Sequence, residues 1–503
     1  MLLLGIDVGT SSIKVSVVDA ATHRSVASAH YPETEAEIIN PNPGWAEQDP
    51  DLWWENVKQA ILKCNATRNY DPQDITAIGI AYQMHGLVLI DKDGYVLRNA
   101  IIWCDSRAVE IGNKAFDEIG HEYCLSHLLN SPGNFTASKL AWVKENEPAV
   151  YEKIYKLMLP GDFIAFKMTG DITTTNSALS EGIFWDFQKE ELSPDIMRYF
   201  GFDNVFVPTI QPLFSAHGYL KESIATGLSL KQGIPVAYKA GDQPNNALSL
   251  NVMEPGELAA TAGTSGVIYG VSNELGYDSY SRINSFAHVN HSEALKRIGI
   301  LLCINGTGIF NRWIKTITGS QQSYEVLNEA AAPVSVGSDG LLAIPFGNGA
   351  ERMLNNQIIG AHFEQIDFNT HGIAHMVRAV QEGIAFSFRY GLDIMRKNGM
   401  HPQVVRASKA NLFLSDVFAT TFAGVNQLSV EFYEGDGSYG AAIGAGIGAG
   451  IFTGSSEAAA GRKSIDHVEP SHTSIYEERY AIWKDSLERK IAIMKQRNPV
   501  FVD

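Results

Sequence analysis

The stretch Leu2-Leu-Leu-Gly-Ile-Asp-Val-Gly-Thr-Ser-Ser-Ile-Lys-Val-Ser-Val-Val18 decides how the rest of the chain is read. An almost continuous apolar run from Leu2 to Val8 stops at Gly9-Thr10-Ser11-Ser12. Beyond that stop Ile13, Val15 and Val17 alternate with Lys14, Ser16 and Val18, which is strand, tight turn, strand. The alternating stretch Ser25 to His30 adds a third strand before any helix, so this is not how a Rossmann unit begins. The same theme returns in Glu257-Leu-Ala-Ala-Thr-Ala-Gly-Thr-Ser-Gly-Val-Ile-Tyr269, about half a chain later. A repeated tripeptide alone says little, but a repeated strand context predicts two similarly built halves, 1–250 and 251–503.

Helical patterns at Pro50 to Lys63, Ser138 to Asn146, Val150 to Tyr155, His371 to Met395, Ser415 to Ala423 and Ser474 to Gln496 mix with strands. The strands are expected at Ile75 to Tyr82, Gly86 to Asp91, Ala100 to Cys104, Ile234 to Ala240, Val404 to Arg406 and Leu428 to Tyr433. The class is therefore α/β. The 503 residues leave room for about two to four domains. With 45% hydrophobic and 19% charged residues the chain folds as an ordinary globular protein. A net charge of −17 disfavours nucleic acid and anionic membranes as partners. Cys64, Cys104, Cys124 and Cys303 share no CxxC spacing, which suits a reducing cytoplasm. The opening apolar run meets Asp7 and lacks a basic flank, so it reads as a buried strand and not as a signal peptide.

No Gly-Lys dipeptide occurs, which sets aside a P-loop. The two Gly-Thr-Ser turns offer backbone N–H groups and hydroxyls to phosphate oxygens, with Lys14 just beyond the first; each is also an ordinary hairpin turn. Asp7, ending a strand before glycine, suits a hydrated Mg²⁺ held against phosphates, and is equally common turn punctuation. Asp242 follows an apolar strand in Gly-Asp-Gln-Pro-Asn-Asn, where a carboxylate emerging into a polar loop is a good post for a base. Gln83-Met84-His85-Gly86 brings an amide, a thioether and an imidazole to one strand terminus, donors and acceptors that suit polyol hydroxyls. Trp103, Asp105 and Arg107 end the next strand and could wall the same pocket. Gly435-Asp-Gly-Ser-Tyr-Gly440 is a literal GxGxxG, but no second strand with a ribose-binding acid follows it. His288-Val-Asn-His291 lacks further ligands for zinc.

Together these stretches resemble the FGGY family of carbohydrate kinases over most of the chain. The resemblance is carried by Gly5 to Lys14, Gly44-Trp-Ala-Glu-Gln-Asp-Pro50, Gln83-Met-His-Gly86, Trp103-Cys-Asp-Ser-Arg107, Phe135-Thr-Ala-Ser-Lys139, Gly241-Asp242, Gly263-Thr-Ser-Gly266 and Arg378-Ala-Val-Gln-Glu-Gly383. It implies a two-domain actin-like (ribonuclease H-like) ATPase fold, each domain a mixed sheet with flanking helices, and ATP and a sugar bound in the cleft between. It implies Asp242 as the proton acceptor, Asp7 positioning Mg²⁺, and Gln83, Met84, His85, Trp103, Asp105 and Gln243 around the sugar. Gly9, Thr10, Ser11, Lys14, Gly263, Thr264 and Ser265 would hold phosphates, with Ser408 and Asn411 beside the adenosine. Within the family the Gln-Met-His-Gly favours xylulose over glycerol; gluconate and ribulose are rival acceptors, and a homodimer is among the assemblies open to it. The chain departs from the family where a Gly-Gly-Gly loop is usual, carrying Arg406-Ala-Ser-Lys-Ala-Asn411, and in the Gln-Pro-Asn-Asn after Asp242. An actin-like ATPase without a sugar substrate, and an oxidoreductase built around Gly435, are the readings from other classes.

Overall fold

The computed structural model describes residues 1–318, 322–460 and 462–497. The opening stretch forms the predicted hairpin, Leu2–Val8 against Ile13–Asp19, with Asp7 opposite Lys14. It is the centre of a five-stranded sheet ordered Val236–Gly241, Ile75–Tyr82, Leu2–Val8, Ile13–Asp19, Ser25–Tyr31. The first two neighbour pairs are parallel and the last two antiparallel.

The second glycine turn sits in a seven-stranded sheet, and five neighbouring strands of that sheet repeat the first sheet's pattern. Ser429–Tyr433, Val404–Ser408, Glu257–Ala262, Gly266–Ser272 and Ile298–Ile304 pair as parallel, parallel, antiparallel, antiparallel. The repeated tripeptide is thus the trace of a repeated topology.

Both faces of the Leu2–Val8 strand are buried, which is why it reads as a continuous apolar run. Leu2, Leu4, Ile6 and Val8 pack towards Trp53, Trp54, Val57 and Ile61 of the helix Pro50–Asn65. Leu3, on the other face, packs with Val18, Ala77 and the helix Gly437–Gly448 through Tyr439, Ala442 and Ile443. That helix belongs to the second half of the sequence yet covers the first sheet. It can do so because Gly5 and Gly79 carry no side chain: a Cβ would lie 1.8 Å from the Ser438 carbonyl oxygen at one and 2.0 Å from that of Ala441 at the other.

In the second half the helix Ile373–Lys397 is buried along most of its length, and the helix Thr473–Arg497 packs against it with Tyr480 and Trp483. The Trp483 indole N–H donates to the Ala343 carbonyl at 2.9 Å, so this last helix serves packing, as its aromatic spacing predicts.

Some local expectations differ. The strand expected from Gly86 to Asp91 is shorter, Val88–Ile90, because His85 turns the chain with φ +63°. The helix expected over Val150 to Tyr155 is one turn, Pro148–Tyr151, after which Tyr155 donates to the Ile90 carbonyl. Asp242 does not enter a loop; it opens the helix Asp242–Ser249.

Candidate active site

The three parallel strands of the first sheet end level. Val8 pairs with Tyr82, and Tyr82 with Gly241, so the chain leaves the sheet along one line into the Gly9 turn, into Gln83-Met84-His85, and into Asp242. The carboxyl ends of parallel strands are where α/β sheets bind ligands.

On that line stand two carboxylates, Asp7 and Asp242, neither in a salt bridge among the described residues. Burial pushes Asp242 up to about 7, with the neighbouring Asp7 charge adding to the rise and the Gln243 backbone and amide opposing it. Burial likewise pushes Asp7 up to about 6; Lys14 opposes and Asp436 adds to the shift. Gly437 lies directly against Asp7, where a Cβ would come 2.3 Å from Oδ2. The GxGxxG stretch is therefore a close contact between a helix and a strand-end acid. Its glycines are needed, but not for a dinucleotide.

The Gly9 turn is tied into the wall beside it. Thr10 Oγ1 donates to Gln83 Oε1 at 3.2 Å, Trp103 Nε1 donates to Thr10 Oγ1 at 3.0 Å, and Gln48 Nε2 donates to the Thr10 carbonyl at 2.8 Å. Gln83 is buried and its amide donates onward to Gln48 Oε1. Trp103 keeps 53% of its surface exposed, an open aromatic face at the rim. Met84 lies beneath Gly241, with Cγ 2.6 Å from where a Cβ there would sit.

His85 is the most constrained of these groups. Its ring meets Phe135 edge-on at 4.8 Å and, from the second sheet, Phe286 at 5.3 Å. Burial, with Lys139 and Arg352 nearby, pushes its pKa down to about 3, so the imidazole is neutral. Its backbone N–H donates to Glu181 Oε2 at 2.9 Å, and its carbonyl accepts from Lys139 Nζ at 2.9 Å. Burial lowers Lys139 to about 7 despite the favourable charge of Asp105.

Asp105 lies in the same wall, but its carboxylate is already used. It accepts from Ala46 N at 2.6 Å and from both Nε and Nη2 of Arg107, whose guanidinium stacks 3.9 Å from the Trp45 ring. It is fully buried, so the structure makes it a brace for the wall. A local turn, in which the Arg107 N–H donates to Asp105, brings the two together, and the Asp105–Arg107 pairing is the physical reason the acid does not face the pocket.

Across the cleft the Gly263 turn packs on the start of the helix Gly308–Ile317, whose Gly308 and Ile309 N–H groups donate to the Gly263 and Thr264 carbonyls at 2.9 and 3.1 Å. Thr264 and Ser265 point out, exposed, and neither hydroxyl makes a hydrogen bond among the described residues. Gly263, Thr264 and Asn411 line a cavity of about 840 Å³ together with Arg312 and Tyr324, large enough for a nucleoside. Ser408 is not in that lining; its hydroxyl donates to the Gly435 carbonyl at 3.1 Å. Lys409, in the departure from the glycine loop, is drawn away by Asp466 at 2.8 Å.

Contacts run continuously from one turn to the other: Asp7 to Gly437, Gly435 to Ser408, and Asn411 to Gly263. Cys303, opposite Val267 at the root of the second turn, lies within electrostatic range of Asp242. Two groups escaped the sequence reading. Glu181 ends the helix Asn176–Glu181 behind His85. Arg352 reaches in from the second half, held by Asn284 Oδ1 at 2.8 Å, and no carboxylate pairs with it among the described residues. Neither lies in a motif, so only the tertiary fold gives them away. Away from the cleft, His288 is bonded to the Tyr269 hydroxyl and His291 to Glu190, and no group of three or more His, Cys, Asp or Glu among the described residues is arranged to hold a metal. No helix among them is long and apolar enough to cross a membrane.

Comparison with known proteins agrees with this geometry. Residues 2–249 match the model of the FGGY family of carbohydrate kinases, N-terminal domain. A xylulose kinase of Staphylococcus xylosus is 27% identical over 498 residues, covering 96% of this chain and 99% of the relative. The crystal structure of xylulose kinase from Rhodospirillum rubrum superposes with a TM-score of 0.86 at 24% identity over all of both chains. That of gluconate kinase from Lactobacillus acidophilus gives 0.88 at 20% identity over 99% of each. At such identities the structures share the fold: two mixed α/β sheets with flanking helices, the two-domain arrangement expected from the sequence.

Proposed function

The chain belongs to the FGGY family of carbohydrate kinases, enzymes that use ATP to phosphorylate a sugar or polyol; from that premise we propose that its acceptor is D-xylulose and its product D-xylulose 5-phosphate. We take 1–250 as the lobe carrying the sugar wall, the first turn and the base, and 251–503 as the lobe carrying the second turn and the adenosine cavity. The observation that carries the reading is the level ending of three strands. It brings the Gly9 turn, Gln83-Met84-His85 and Asp242 side by side, which supports reading them as a phosphate turn, a sugar wall and a base.

Asp242 accepts the proton of the attacking hydroxyl and aims its oxygen at the γ-phosphorus. A base with a pKa near 7 is matched to that task. The backbone N–H groups of Gly9, Thr10, Ser11, Gly263, Thr264 and Ser265 cradle the phosphates, with Lys14 beside the first turn. Gln83, Met84, His85, Trp103 and Gln243 line the sugar side, with Asp105 bracing the wall through Arg107, and Asn411 stands towards the adenosine. Mg²⁺ fits beside Asp7, because burial holds both Asp7 and Asp242 above the ordinary carboxylate range and Lys14 offsets this only in part at Asp7; the ion would neutralise phosphate charge there. Closure of the lobes on the bound pair keeps water from the phosphoryl group.

An aldonate such as gluconate is the second reading, favoured by the half-buried Arg352 guanidinium, which has Asn284 as its one side-chain partner among the described residues and would suit a substrate carboxylate. A coupled ADP-release assay over ketoses, polyols and gluconate separates them. Acceleration by D-xylulose above the others is expected. Preference for gluconate or glycerol overturns the assignment, and sugar-independent turnover would favour an ATPase.

A further inference from the structure

Resting on the reading of this cleft as a sugar kinase site, we propose that Glu181 is a positioning residue that sets both the backbone turn and the presented atom of His85, so that the substrate meets an acceptor nitrogen with a hydroxyl. His85 holds φ +63°, a left-handed conformation that residues with a side chain seldom adopt. Such a turn persists only when its surroundings fix it. Here the fixing is done from both sides of one residue. Glu181 Oε2 takes the His85 backbone N–H at 2.9 Å, and Lys139 Nζ gives to the His85 carbonyl at 2.9 Å. Glu181 Oε1 is bonded at 2.7 Å to the hydroxyl of Tyr82, the last residue of the strand Ile75–Tyr82, so the clamp is anchored to the sheet. Only 2% of Glu181 is exposed, so water does not replace these bonds if the side chain is removed.

The Glu181 backbone carbonyl adds a second constraint. It lies 3.0 Å from His85 Nδ1. A carbonyl only accepts, so Nδ1 carries the ring proton and the neutral imidazole leaves Nε2 bare. A bare nitrogen accepts from a hydroxyl and repels a carboxylate, so the group that meets His85 is an alcohol of the sugar, even for an aldonate. Glu181 itself is pushed well above the ordinary carboxylate range by burial, with Asp242 adding to the rise. Glutamine keeps the length and shape of this side chain, with a carbonyl to take the His85 N–H and an amide where Oε1 meets the Tyr82 hydroxyl.

The test uses the full-length enzyme, ATP, and whichever acceptor the ADP-release screen identifies. Glu181→Ala should lower kcat/KM for the sugar by about 10²-fold, the usual cost of a small misplacement in a reacting site, while KM for ATP stays at its wild-type value. Glu181→Gln should restore the sugar constant to within a few-fold. Glu181→Asp, which keeps the carboxyl group but draws it back from His85 by one methylene, should raise the sugar KM about 10-fold without touching that of ATP, and serves if the alanine variant does not fold. In ¹⁵N-histidine spectra the wild type and Glu181→Gln should show His85 protonated at Nδ1, and the alanine or aspartate variant should lose that single tautomer. Unchanged sugar kinetics in both the alanine and aspartate variants overturns the proposal. So does an equal loss of sugar and ATP affinity, or failure of glutamine to rescue. If the wild type instead selects an acceptor other than xylulose, the substrate assignment falls and the Glu181 series is read with that acceptor.

Discussion

Asp242 and Asp436 stand at matching places in two sheets built to one pattern, just past the strands Val236–Gly241 and Ser429–Tyr433, each at the start of a helix. Their carboxylates have opposite fates. That of Asp436 accepts, on Oδ1, from the Ser438 and Tyr439 N–H groups at 3.1 Å each and from the Ser438 hydroxyl at 2.7 Å, a well-made N-cap. That of Asp242 has its helix start without such a cap, feels the charge of Asp7, and is held up to about 7, chiefly by burial. One copy of the architecture uses its acid to secure a helix. The other leaves its acid under-satisfied, which costs stability and keeps a proton acceptor available.

The sharpest way to break this contrast is to neutralise each acid without changing its shape. Asp242→Asn should cut kcat by about 10² to 10⁴-fold with KM for ATP unchanged, since proton acceptance is lost and no phosphate contact is. Asp436→Asn should keep most of the turnover, because asparagine caps a helix as well as aspartate does. Comparable losses in both would show that the two sites are not divided as described, and steady-state kinetics decides it.

A change of pH probes the same difference more gently. Since Asp242 must be ionised to act, kcat/KM for the sugar should climb as pH rises through about 7 and level off above it. Stability runs the other way. Between the ordinary carboxylate value and about 7 the folded chain holds more protons than the unfolded one, so the nucleotide-free protein should become less stable as pH rises through that window. Asp242→Asn should flatten that slope in thermal melts recorded from pH 4 to 8, and an unaltered slope would remove the acid pair as its source. Asp436→Ala is the smallest effect: loss of the cap should cost about 1 kcal/mol in denaturant unfolding.

How much of this was legible beforehand depends on the range of the signal. The two hairpins and the strand before Asp242 are local patterns of apolar run and glycine, and they could be read directly. Asp242 as the start of a helix was missed because Pro244 and two asparagines look like a loop, yet proline is tolerated in a helix's first turn. Asp105 read as a pocket acid because its partner, Arg107, is brought onto it by a turn that spacing alone does not specify. Glu181 and Arg352 carried no signal, since their importance comes from neighbours about 96 residues away in one case and from the opposite half in the other. The Gly435 to Gly440 stretch announced that something comes close to the backbone, but its partner is a strand more than four hundred residues earlier, beyond the reach of any local pattern.

The helix Gly437–Gly448 also sets an order of events during synthesis. Leu3, Val18 and Ala77 belong to the first part of the chain to leave the ribosome, and the residues that cover them, Tyr439, Ala442 and Ile443, are among the later ones. A nascent N-terminal half therefore waits with an oily face uncovered, a ready substrate for holding chaperones, and a gene cut between the two sheets would yield a fragment that clumps instead of an independent lobe.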